Sequence, residues 1–353
     1  MSDHGQLKNR VQGLRGERGW SQAELAQRAG ISRAAVSAIE IHRLVPSVAA
    51  ALALATAFGC RVEDLFGAAA GDVENCAWAW PPAQEPCRFW HARVGCRVLL
   101  FPAEPTAAGV VAHDGVFQHG ETSPSADTRP ENTLVMASCD PAAALLANEY
   151  ARTSGFRLLV LHRASRQALD LLRAGLVEVA GIHLTTRAND DGNAAAARSV
   201  LGTGYTLFTA ASWQEGLAVA SGVAATSLRS LVRAPLRWIG REPGSGARQC
   251  QDELLHDRPS PRRFARDHRG VAEAIRCGWA DIGVCVRLVC DEAGLKFIKV
   301  RDETYDLCFR TDQESDPRLR ALLRVLRSPS FRAWLSELPG YDCRFTGETV
   351  QLR

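Results

Sequence analysis

Residues 21–43, SQAELAQRAGISRAAVSAIEIHR, predict two short helices joined by a tight turn. Ser21 is followed three residues later by Glu24, the spacing of a capping box at a helix start. Gly30 can adopt the positive φ that ends the first helix. Ser32 is an N-cap residue for the second helix. The stretch therefore predicts a helix-turn-helix.

The two helices are expected to bury one face each. Ala23, Leu25 and Ala26 supply the buried side of the first helix, and Val36 and Ile39 supply that of the second. Short side chains at the start of the second helix let it enter a major groove, where Arg and Ser reach bases or phosphates. The predicted DNA-binding residues are Gln22, Ser32, Arg33, Ala34, Ser37 and Arg43.

Further helical segments flank this stretch, and residues 5–67 resemble the Cro/phage-repressor (xenobiotic-response-element) type of helix-turn-helix domain. The residues that match are Gly19 to Gln22, Leu25-Ala26, Gly30 to Ser32, Val36-Ser37, Ile39-Glu40, Pro46-Ser47, Leu52, Ala55 and Val62 to Phe66. The family usually has Gly after the second helix, where this chain has His42. We therefore expect His42 to occupy a left-handed conformation at some cost.

The net charge of the first 67 residues supports this interpretation only weakly. Residues 1–67 hold eight Lys/Arg and six Asp/Glu, so 8 − 6 leaves a net charge of +2. A helical hairpin that binds another protein instead of DNA stays an alternative. One such domain would bind an operator weakly, so a homodimer on two half-sites of double-stranded DNA is expected.

Length and composition indicate two or three domains, since the chain has 353 residues of which 46% are hydrophobic. No apolar run reaches the roughly 18–20 residues that span a bilayer. Met1 is not followed by a basic and apolar signal segment. The net charge of +3 excludes a strongly basic body. We expect a cytoplasmic protein.

Eleven cysteines raise the question of metal or redox chemistry. None forms a CxxC pair, and the positions 60, 76, 87, 96, 277, 285 and 290 match no closed zinc pattern. We expect free, mostly buried thiols, with no metal site and no cofactor. A cysteine-based redox or metal-responsive regulator is the alternative, and its first candidates are Cys76, Cys87 and Cys96, near His91.

Residues 68–131 form a connector whose pattern is short and strand-like. Three segments read as strands: RFWHARV (88–94), CRVLLFP (96–102) and GVVAHDGVFQ (109–118). Residues 119–131 are polar and rich in Ser and Pro, which is typical of an exposed linker. We expect structural or surface roles for His91, His113 and His119.

From residue 132 strands alternate with helices, which favours parallel strands with crossover helices. TLVMAS (133–138) and RLLVLH (157–162) read as strands, each followed by a helix; Ser165 should cap the second helix, and VEVAGIHL (177–184) is a third strand. Ligands of such sheets bind at the carboxyl ends of the strands. Ser138 and Ser165 lie there.

A helix–Gly–strand unit occurs twice, at 171–182 and 274–286, which is consistent with two similar lobes. Between them, Arg241-Glu-Pro-Gly-Ser-Gly-Ala-Arg248 precedes a helix. Backbone N–H groups of Gly244 and Gly246, with the Ser245 hydroxyl, would suit an anion.

Residues 132–350 look like the periplasmic-binding-protein-like domain attached to bacterial helix-turn-helix regulators and to some molybdopterin-biosynthesis proteins. The matching pieces are Asp140 to Ala142, Ala174-Gly175, Val179 to Leu184, Gln214 to Leu217, Arg241 to Arg248, Val271 to Ile275, Gly278 to Gly283, Glu303, Tyr305 to Leu307, Ser328-Pro329, Phe331 and Leu338 to Asp342. The chain departs from the family at Val177-Glu178, where Ala-Asp is usual, and at 162–165, where a second Gly-rich loop is replaced.

The resemblance implies two lobes that close on a small, anionic ligand. Molybdate-binding relatives use serine hydroxyls, backbone amides and a tyrosine. The residues predicted to bind the ligand are Ser138, Ser165, Arg166, His183, Ser245, Gly246, Arg248 and Tyr305. The serines could instead be ordinary N-caps, the two arginines surface ion pairs, and Tyr305 core packing.

The predicted fold is multidomain: an all-α helix-turn-helix domain at 1–67, a small β-containing connector at 68–131, and a two-lobed α/β periplasmic-binding-protein-like domain at 132–353. The predicted function is a one-component bacterial transcriptional regulator whose effector is a molybdate-like oxyanion or a small organic acid.

No nucleophile–base constellation is evident, so catalytic residues are not expected. His183 and Asp281 are the only candidates for one. The effector, the operator and the sign of regulation are left open.

Overall fold

The computed structural model describes residues 9–66, 76–104, 112–124, 128–184, 192–224, 227–256 and 258–353. Contacts divide the chain into two compact units. Unit 1 is Met1–Glu104 with Ala112–Leu134, and unit 2 is Pro105–Val111 with Val135–Arg353. The predicted domain boundary at residue 67 lies outside the described residues, and the boundaries stay a prediction. No helix in the described part of the chain is long and apolar enough to cross a membrane.

Unit 1 begins with the predicted helices. They are α1 (Val11–Glu17), α2 (Gln22–Ala29), α3 (Arg33–Glu40), α4 (Val48–Phe58) and α5 (Val62–Phe66). Ser21 Oγ accepts from Glu24 N over 3.1 Å while Ser21 N donates to Glu24 Oε2 over 2.6 Å, which confirms the capping box. Gly30 has φ 63° at the end of α2. His42 has φ 60°, as the departure from the family pattern predicts.

The helices enclose a single apolar cluster. Leu25, Val36, Ile39, Leu54 and Phe58 are fully buried in it. The prediction that Ala23 belongs to this core is wrong. The buried positions of α2 are 25, 26 and 29, so residue 23 lies more than a quarter-turn away on the exposed side.

A five-stranded sheet completes unit 1. Its strands are β1 (Ala77–Trp78), β2 (Cys87–Val94), β3 (Arg97–Pro102), β4 (Gly115–Gln118) and β5 (Glu121–Pro124), in the order β1-β3-β2-β4-β5. Two of the predicted strands are confirmed as β2 and β3, and within the described residues the third is confined to 115–118. The linker prediction is wrong at 121–124, because β5 pairs with β4. Positive φ at His119 and Gly120 makes the two-residue turn between them.

Unit 2 is the two-lobed α/β domain, and the first two residues of its first strand lie in unit 1. Its strands are β6 (Thr133–Ser138), β7 (Arg157–His162), β8 (Val179–Ile182), β9 (Tyr205–Val219), β10 (Trp238–Arg241), β11 (Phe264–Ala265), β12 (Ile282–Val286), β13 (Lys296–Arg310), β14 (Tyr341–Asp342) and β15 (Thr349–Leu352). Its helices are α6 (Ala143–Ser154), α7 (Ser165–Arg173), α8 (Gly192–Leu201), α9 (Leu228–Arg233), α10 (Gly246–Leu254), α11 (His268–Arg276), α12 (Arg287–Glu292), α13 (Pro317–Arg327) and α14 (Pro329–Glu337).

The main strand order is β11-β10-β12-β9-β13-β8-β6-β7. Pairs β6/β8, β10/β11 and β10/β12 are parallel, as expected, but β9 and β13 run antiparallel to each other and to their neighbours. The sheet is therefore mixed. The repeated helix–Gly–strand unit is α7–β8 in one lobe and α11–β12 in the other.

The two long strands connect the lobes. β8 pairs with the end of β13 at 306–308, whereas β12 pairs with the end of β9 at 215–219. Between these contacts, residues 211–215 of β9 face residues 301–305 of β13. The middle of both strands thus lies at the centre of unit 2, between the lobes.

Candidate functional site

The start of α3 is the exposed surface assigned to DNA. Ser32, Arg33, Ala34 and Arg43 are exposed and Ser37 is half-buried. Ser32 Oγ accepts from Ala35 N over 3.1 Å, so this hydroxyl caps the helix. The Arg33 guanidinium extends from its first turn, where it can reach a groove. Contact of these residues with DNA stays a prediction.

Glu40, at the end of α3, links this helix to α1 and α2 through hydrogen bonds. It is 4% exposed, and Arg15 Nε donates to its Oε1 over 2.6 Å. Gln22 Nε2 donates to Glu40 Oε2 over 2.9 Å. The Gln22 amide, assigned to DNA, is thus held by α3 in this structure. Glu40 was indicated by sequence only through the family match at Ile39-Glu40.

The second candidate site is at the centre of unit 2, where the ends of β6 and β8 meet β13. Ser138 Oγ and Tyr305 OH lie 2.6 Å apart. His183 Nδ1 donates to Glu303 Oε2 over 2.7 Å, and its Nε2 lies 3.2 Å from Cys139 Sγ. Four of the five side chains are less than 3% exposed and Cys139 is 4% exposed. The structure thus brings three of the predicted ligand residues into one cluster.

Aromatic rings join the members of this cluster. Trp213 stacks on Tyr305 with centroids 4.8 Å apart and meets His183 edge-on at 5.0 Å. Tyr341 OH donates to Asp140 Oδ1 over 2.5 Å. Aromatic pairs of these geometries stabilise the fold beyond the burial of their surfaces, so they help to hold the cluster together.

Ser165 contributes to the cluster in an unexpected way. It is the first residue of α7, with Ala164 in the N-cap position, so the prediction that Ser165 caps this helix is wrong. Ser165 Oγ instead accepts from His183 N over 3.1 Å. The hydroxyl therefore fixes the backbone after β8, which carries the imidazole.

Arg301 neutralises the acidic members of the centre. It contacts Glu303 at 2.6 Å, Glu215 at 2.9 Å and Glu253 at 3.1 Å. His183, Glu215 and Glu303 have the spacing of a metal site, but Arg301 occupies both carboxylates. This cluster is consequently an ion-pair network, and the arginine would oppose a second cation.

The electrostatics of the centre favour a charged His183. Burial acts to lower its pKa, but Cys139 and Glu303 outweigh burial and hold the pKa well above the usual value. Burial likewise acts to raise the pKa of Glu303, yet His183 and Arg301 lower it to about 2. Burial and the Glu303 charge raise the pKa of Glu215. An imidazolium–carboxylate pair is therefore present at neutral pH.

Arg241, which lies beside His268, provides a second, unbalanced charge. Both are 1% exposed, and Arg241 Nη1 donates to His268 Nδ1 over 2.8 Å. Arg241 Nε and His268 Nε2 have no hydrogen-bond partner among the described residues. Nor does any described carboxylate form an ion pair with Arg241. Burial, Arg241 and His183 lower the pKa of His268 well below the usual value, so this imidazole is neutral.

The Gly-rich loop at the start of α10 meets the opposite lobe. A Cβ on Gly246 would lie 2.1 Å from His183 O, so only glycine fits there. Arg166 N donates to Gly244 O over 3.2 Å. Ser245 Oγ caps α10 by accepting from Arg248 N over 3.1 Å. The lobes are therefore in contact across the cleft.

The two predicted anion-binding arginines differ from expectation in their surroundings. The Arg248 guanidinium pairs with Asp252 at 2.8 Å on the same helix, and the Arg166 side chain is exposed. Asp281, one of the two catalytic candidates, pairs with Arg237 at 2.6 Å. The ligand role of Ser245 and of both arginines stays a prediction.

Some contacts of the site were not predicted from the sequence. Cys139 and Glu303 lie on either side of His183, in the order thiol, imidazole, carboxylate. Cys139 and His183 are 44 residues apart in sequence, and His183 and Glu303 are 120 apart, so no local pattern indicates their contact. Arg241 could have been found, because it ends a strand directly before the Gly-rich loop. Residue 268 begins a helix after a two-residue strand, a weaker signal.

Family models describe both units. A model described as a PBP superfamily domain matches residues 147–327, more than half of the chain, and the chain belongs to that family. A helix-turn-helix model matches residues 12–65. The protein therefore combines an N-terminal regulator-type helix-turn-helix domain with a C-terminal two-lobed α/β domain.

Individual relatives match parts of the chain. The uncharacterized protein YvgK of Bacillus subtilis is 28% identical over 199 residues, which is 54% of this chain and 64% of YvgK. The chain thus spans less than two thirds of that relative. The uncharacterized HTH-type transcriptional regulator YgzD of Bacillus subtilis is 42% identical over 60 residues, covering 17% of this chain and 91% of YgzD.

Among solved structures, one similar chain is a putative phosphate ABC transporter substrate-binding protein from Clostridium perfringens with bound phosphate. It has 11% identity and a TM-score of 0.49, with coverage of 60% of this chain and 99% of that chain. A tungstate ABC transporter from Geobacter sulfurreducens has 15% identity and a TM-score of 0.44, with coverage of 58% and 98%.

Proposed function

We propose that this protein is a one-component transcriptional regulator that binds operator DNA through α3 and a small anion between the lobes of unit 2. The helix-turn-helix match and the exposed start of α3 support the DNA-binding half. The PBP superfamily match supports the ligand-binding half. Such a protein would work in the cytoplasm, where its operator is.

One observation supports an anionic ligand. A buried guanidinium without a carboxylate partner is costly, because desolvation is not offset by an opposite charge. Arg241 is in this situation, and His268 Nε2 beside it is an unsatisfied donor. An oxyanion or a carboxylate would accept from both groups. The α10 N-terminus, on the same lobe, adds a favourable dipole.

Regulation would follow from closure of the lobes. The contacts of Gly246 with His183 and of Gly244 with Arg166 exist only when the lobes meet. A ligand that binds the closed form more tightly shifts the population toward it. The coupling to DNA affinity equals this differential binding free energy, and it is reciprocal between the two sites. No catalytic step is proposed for the buried Cys139–His183–Glu303 group.

A homodimer is part of the proposal. Val45, Val48 and Leu52 are 78%, 78% and 55% exposed and line an apolar groove of about 410 Å³ on the helical part of unit 1. A second copy seated there would bury these side chains and present two α3 helices to two half-sites. Val48→Glu should therefore convert a dimer to a monomer in light scattering, and an unchanged mass would exclude this interface.

The anion is tested by calorimetric titration and thermal unfolding of the full chain with molybdate, tungstate, phosphate and small carboxylates, beside glycerol as a neutral compound. At least one anion should raise the melting temperature, and Arg241→Met should abolish this shift. Arg237→Met is the matched control, since Arg237 belongs to the same lobe but is exposed and paired with Asp281. Binding that persists in Arg241→Met would reject the anion site.

A further inference from the structure

Two Gly-Cys pairs meet in unit 1, outside both sites described above. Gly59-Cys60 ends α4 and Gly95-Cys96 forms the turn between β2 and β3, with positive φ at both glycines. The two turns lie next to each other, because a Cβ added at Gly95 would lie 3.9 Å from Gly59 O. The sheet and the helices thus bring together two thiols that are 36 residues apart in sequence.

Asp64 completes the group. One ligand atom from each of Cys60, Asp64 and Cys96 lies within 4.8 Å of the other two. Cys96 Sγ is 3.7 Å from Asp64 Oδ2. Zn²⁺ binds sulfur at about 2.3 Å and carboxylate oxygen at about 2.0–2.2 Å, so tetrahedral ligands lie roughly 3.5–3.8 Å apart. The observed separation has this size.

The charges in the group call for a cation. With both thiols ionised, the three side chains would carry three negative charges around one point. Arg18 is the nearby positive group, and its guanidinium also donates to Phe58 O over 2.6 Å. A divalent ion would offset the remaining charge.

We propose that Cys60, Asp64 and Cys96 form a zinc site that fastens the β2–β3 turn to the DNA-binding helices. Two soft sulfur ligands with one carboxylate favour Zn²⁺ over Mg²⁺ or Ca²⁺. Cys96 is fixed in the helical core at 4% exposure, whereas Cys60 and Asp64 are half-buried. The fourth position is left for water. The site is independent of the anion cleft, and either proposal can fail alone.

The test is a titration of the reduced, metal-free full chain with Zn²⁺ in competition with a chromophoric chelator. One Zn²⁺ should bind per chain, and Cys60→Ser should weaken this binding at least about 100-fold. Cys96→Ser should do the same, and Asp64→Asn should weaken binding to a smaller degree. Cys277→Ser is the control, because Cys277 is an exposed cysteine beside a carboxylate in unit 2.

Two further measurements distinguish the loss of a zinc ligand from unfolding of the variants and from a disulfide between Cys60 and Cys96. Co²⁺ in place of Zn²⁺ should give a thiolate-to-metal charge-transfer band, which Cys60→Ser should weaken while its circular dichroism stays native. Zinc binding that persists in both cysteine variants would overturn the proposal. It would also be overturned if the chain purified without reductant carries a Cys60–Cys96 disulfide and binds no zinc after reduction.

Discussion

Arg241 Nη1 donates to His268 Nδ1 over 2.8 Å inside unit 2, and this bond assigns the protons of both side chains. A guanidinium has no acceptor, so His268 Nδ1 must be the acceptor and the neutral ring carries its proton on Nε2. Arg241 Nε and His268 Nε2 are then two buried donors without a described acceptor. A buried guanidinium beside a second buried donor is suited to an anion, and it is costly without one.

Arg241 should therefore lower the stability of the ligand-free protein, although it is needed for anion binding. We expect Arg241→Met to raise the free energy of unfolding of the ligand-free protein by about 1–4 kcal/mol, because an uncompensated buried charge is removed. Arg301→Met should instead lower it by about 3–5 kcal/mol, since Glu215 and Glu303 would lose their counter-ion. Urea unfolding of both variants measures the two effects. Destabilisation of Arg241→Met would mean that its charge is compensated in the folded state.

Acid should weaken the fold through His268. Its folded pKa lies well below the unfolded value of about 6.5 because burial and the charges of Arg241 and His183 disfavour its protonation. A group with a lowered pKa contributes stability above its unfolded pKa and loses it as pH falls, at up to about 1.4 kcal/mol per pH unit. We expect His268→Gln to flatten the decline in unfolding free energy below pH about 6.5.

The control for this titration is His256→Gln, which changes an exposed imidazole of the same unit. His183 acts in the opposite direction, because its raised pKa contributes stability at low pH that is lost as pH rises through the folded pKa. The difference between the pH profiles of His268→Gln and the unchanged protein measures the contribution of His268. An identical pH profile for both proteins would contradict a neutral, buried His268.

Local chemistry explains which parts of this fold can be read from sequence. Ser21, Gly30 and Ser32 act through neighbours within four residues, and all three take their predicted roles. The pairing of β9 with β13 joins segments about a hundred residues apart, and no local pattern encodes its antiparallel direction. The same holds for the site: Ser138 and His183 lie at the ends of strands and were predicted, whereas the pairing of Arg241 with His268 joins residues 27 positions apart and depends on the tertiary fold.

DNA affinity should depend on Arg33 without any cost to the fold. Arg33 is exposed at the first turn of α3, so Arg33→Ala should change unfolding by no more than about 0.5 kcal/mol. Loss of a base contact should weaken operator binding by about 1–3 kcal/mol in fluorescence anisotropy with DNA selected from a random library. Ser32→Ala should instead lower stability by about 1 kcal/mol, since Ser32 caps α3.

Arg173→Ala is a matched control for this experiment, because Arg173 is a 60%-exposed arginine of unit 2 that pairs with Asp170. Its operator affinity should equal that of the unchanged protein at the same salt concentration. The response to the anion should be retained in Arg33→Ala. Equal DNA affinity for Arg33→Ala and the unchanged protein would remove α3 as the recognition helix.

Lobe closure should be blocked by a single methyl group. An alanine Cβ at residue 246 would lie 2.1 Å from His183 O and 2.6 Å from His183 Nδ1, distances that force the two lobes apart. Gly222→Ala is the control, because nothing lies within 4 Å of a Cβ there. We expect Gly246→Ala to retain operator binding but to lose the anion-induced change in that binding. Small-angle scattering should show that the added anion compacts the unchanged protein and Gly222→Ala but not Gly246→Ala. Normal anion binding with normal compaction in Gly246→Ala would show that this contact is not part of the ligand-bound state.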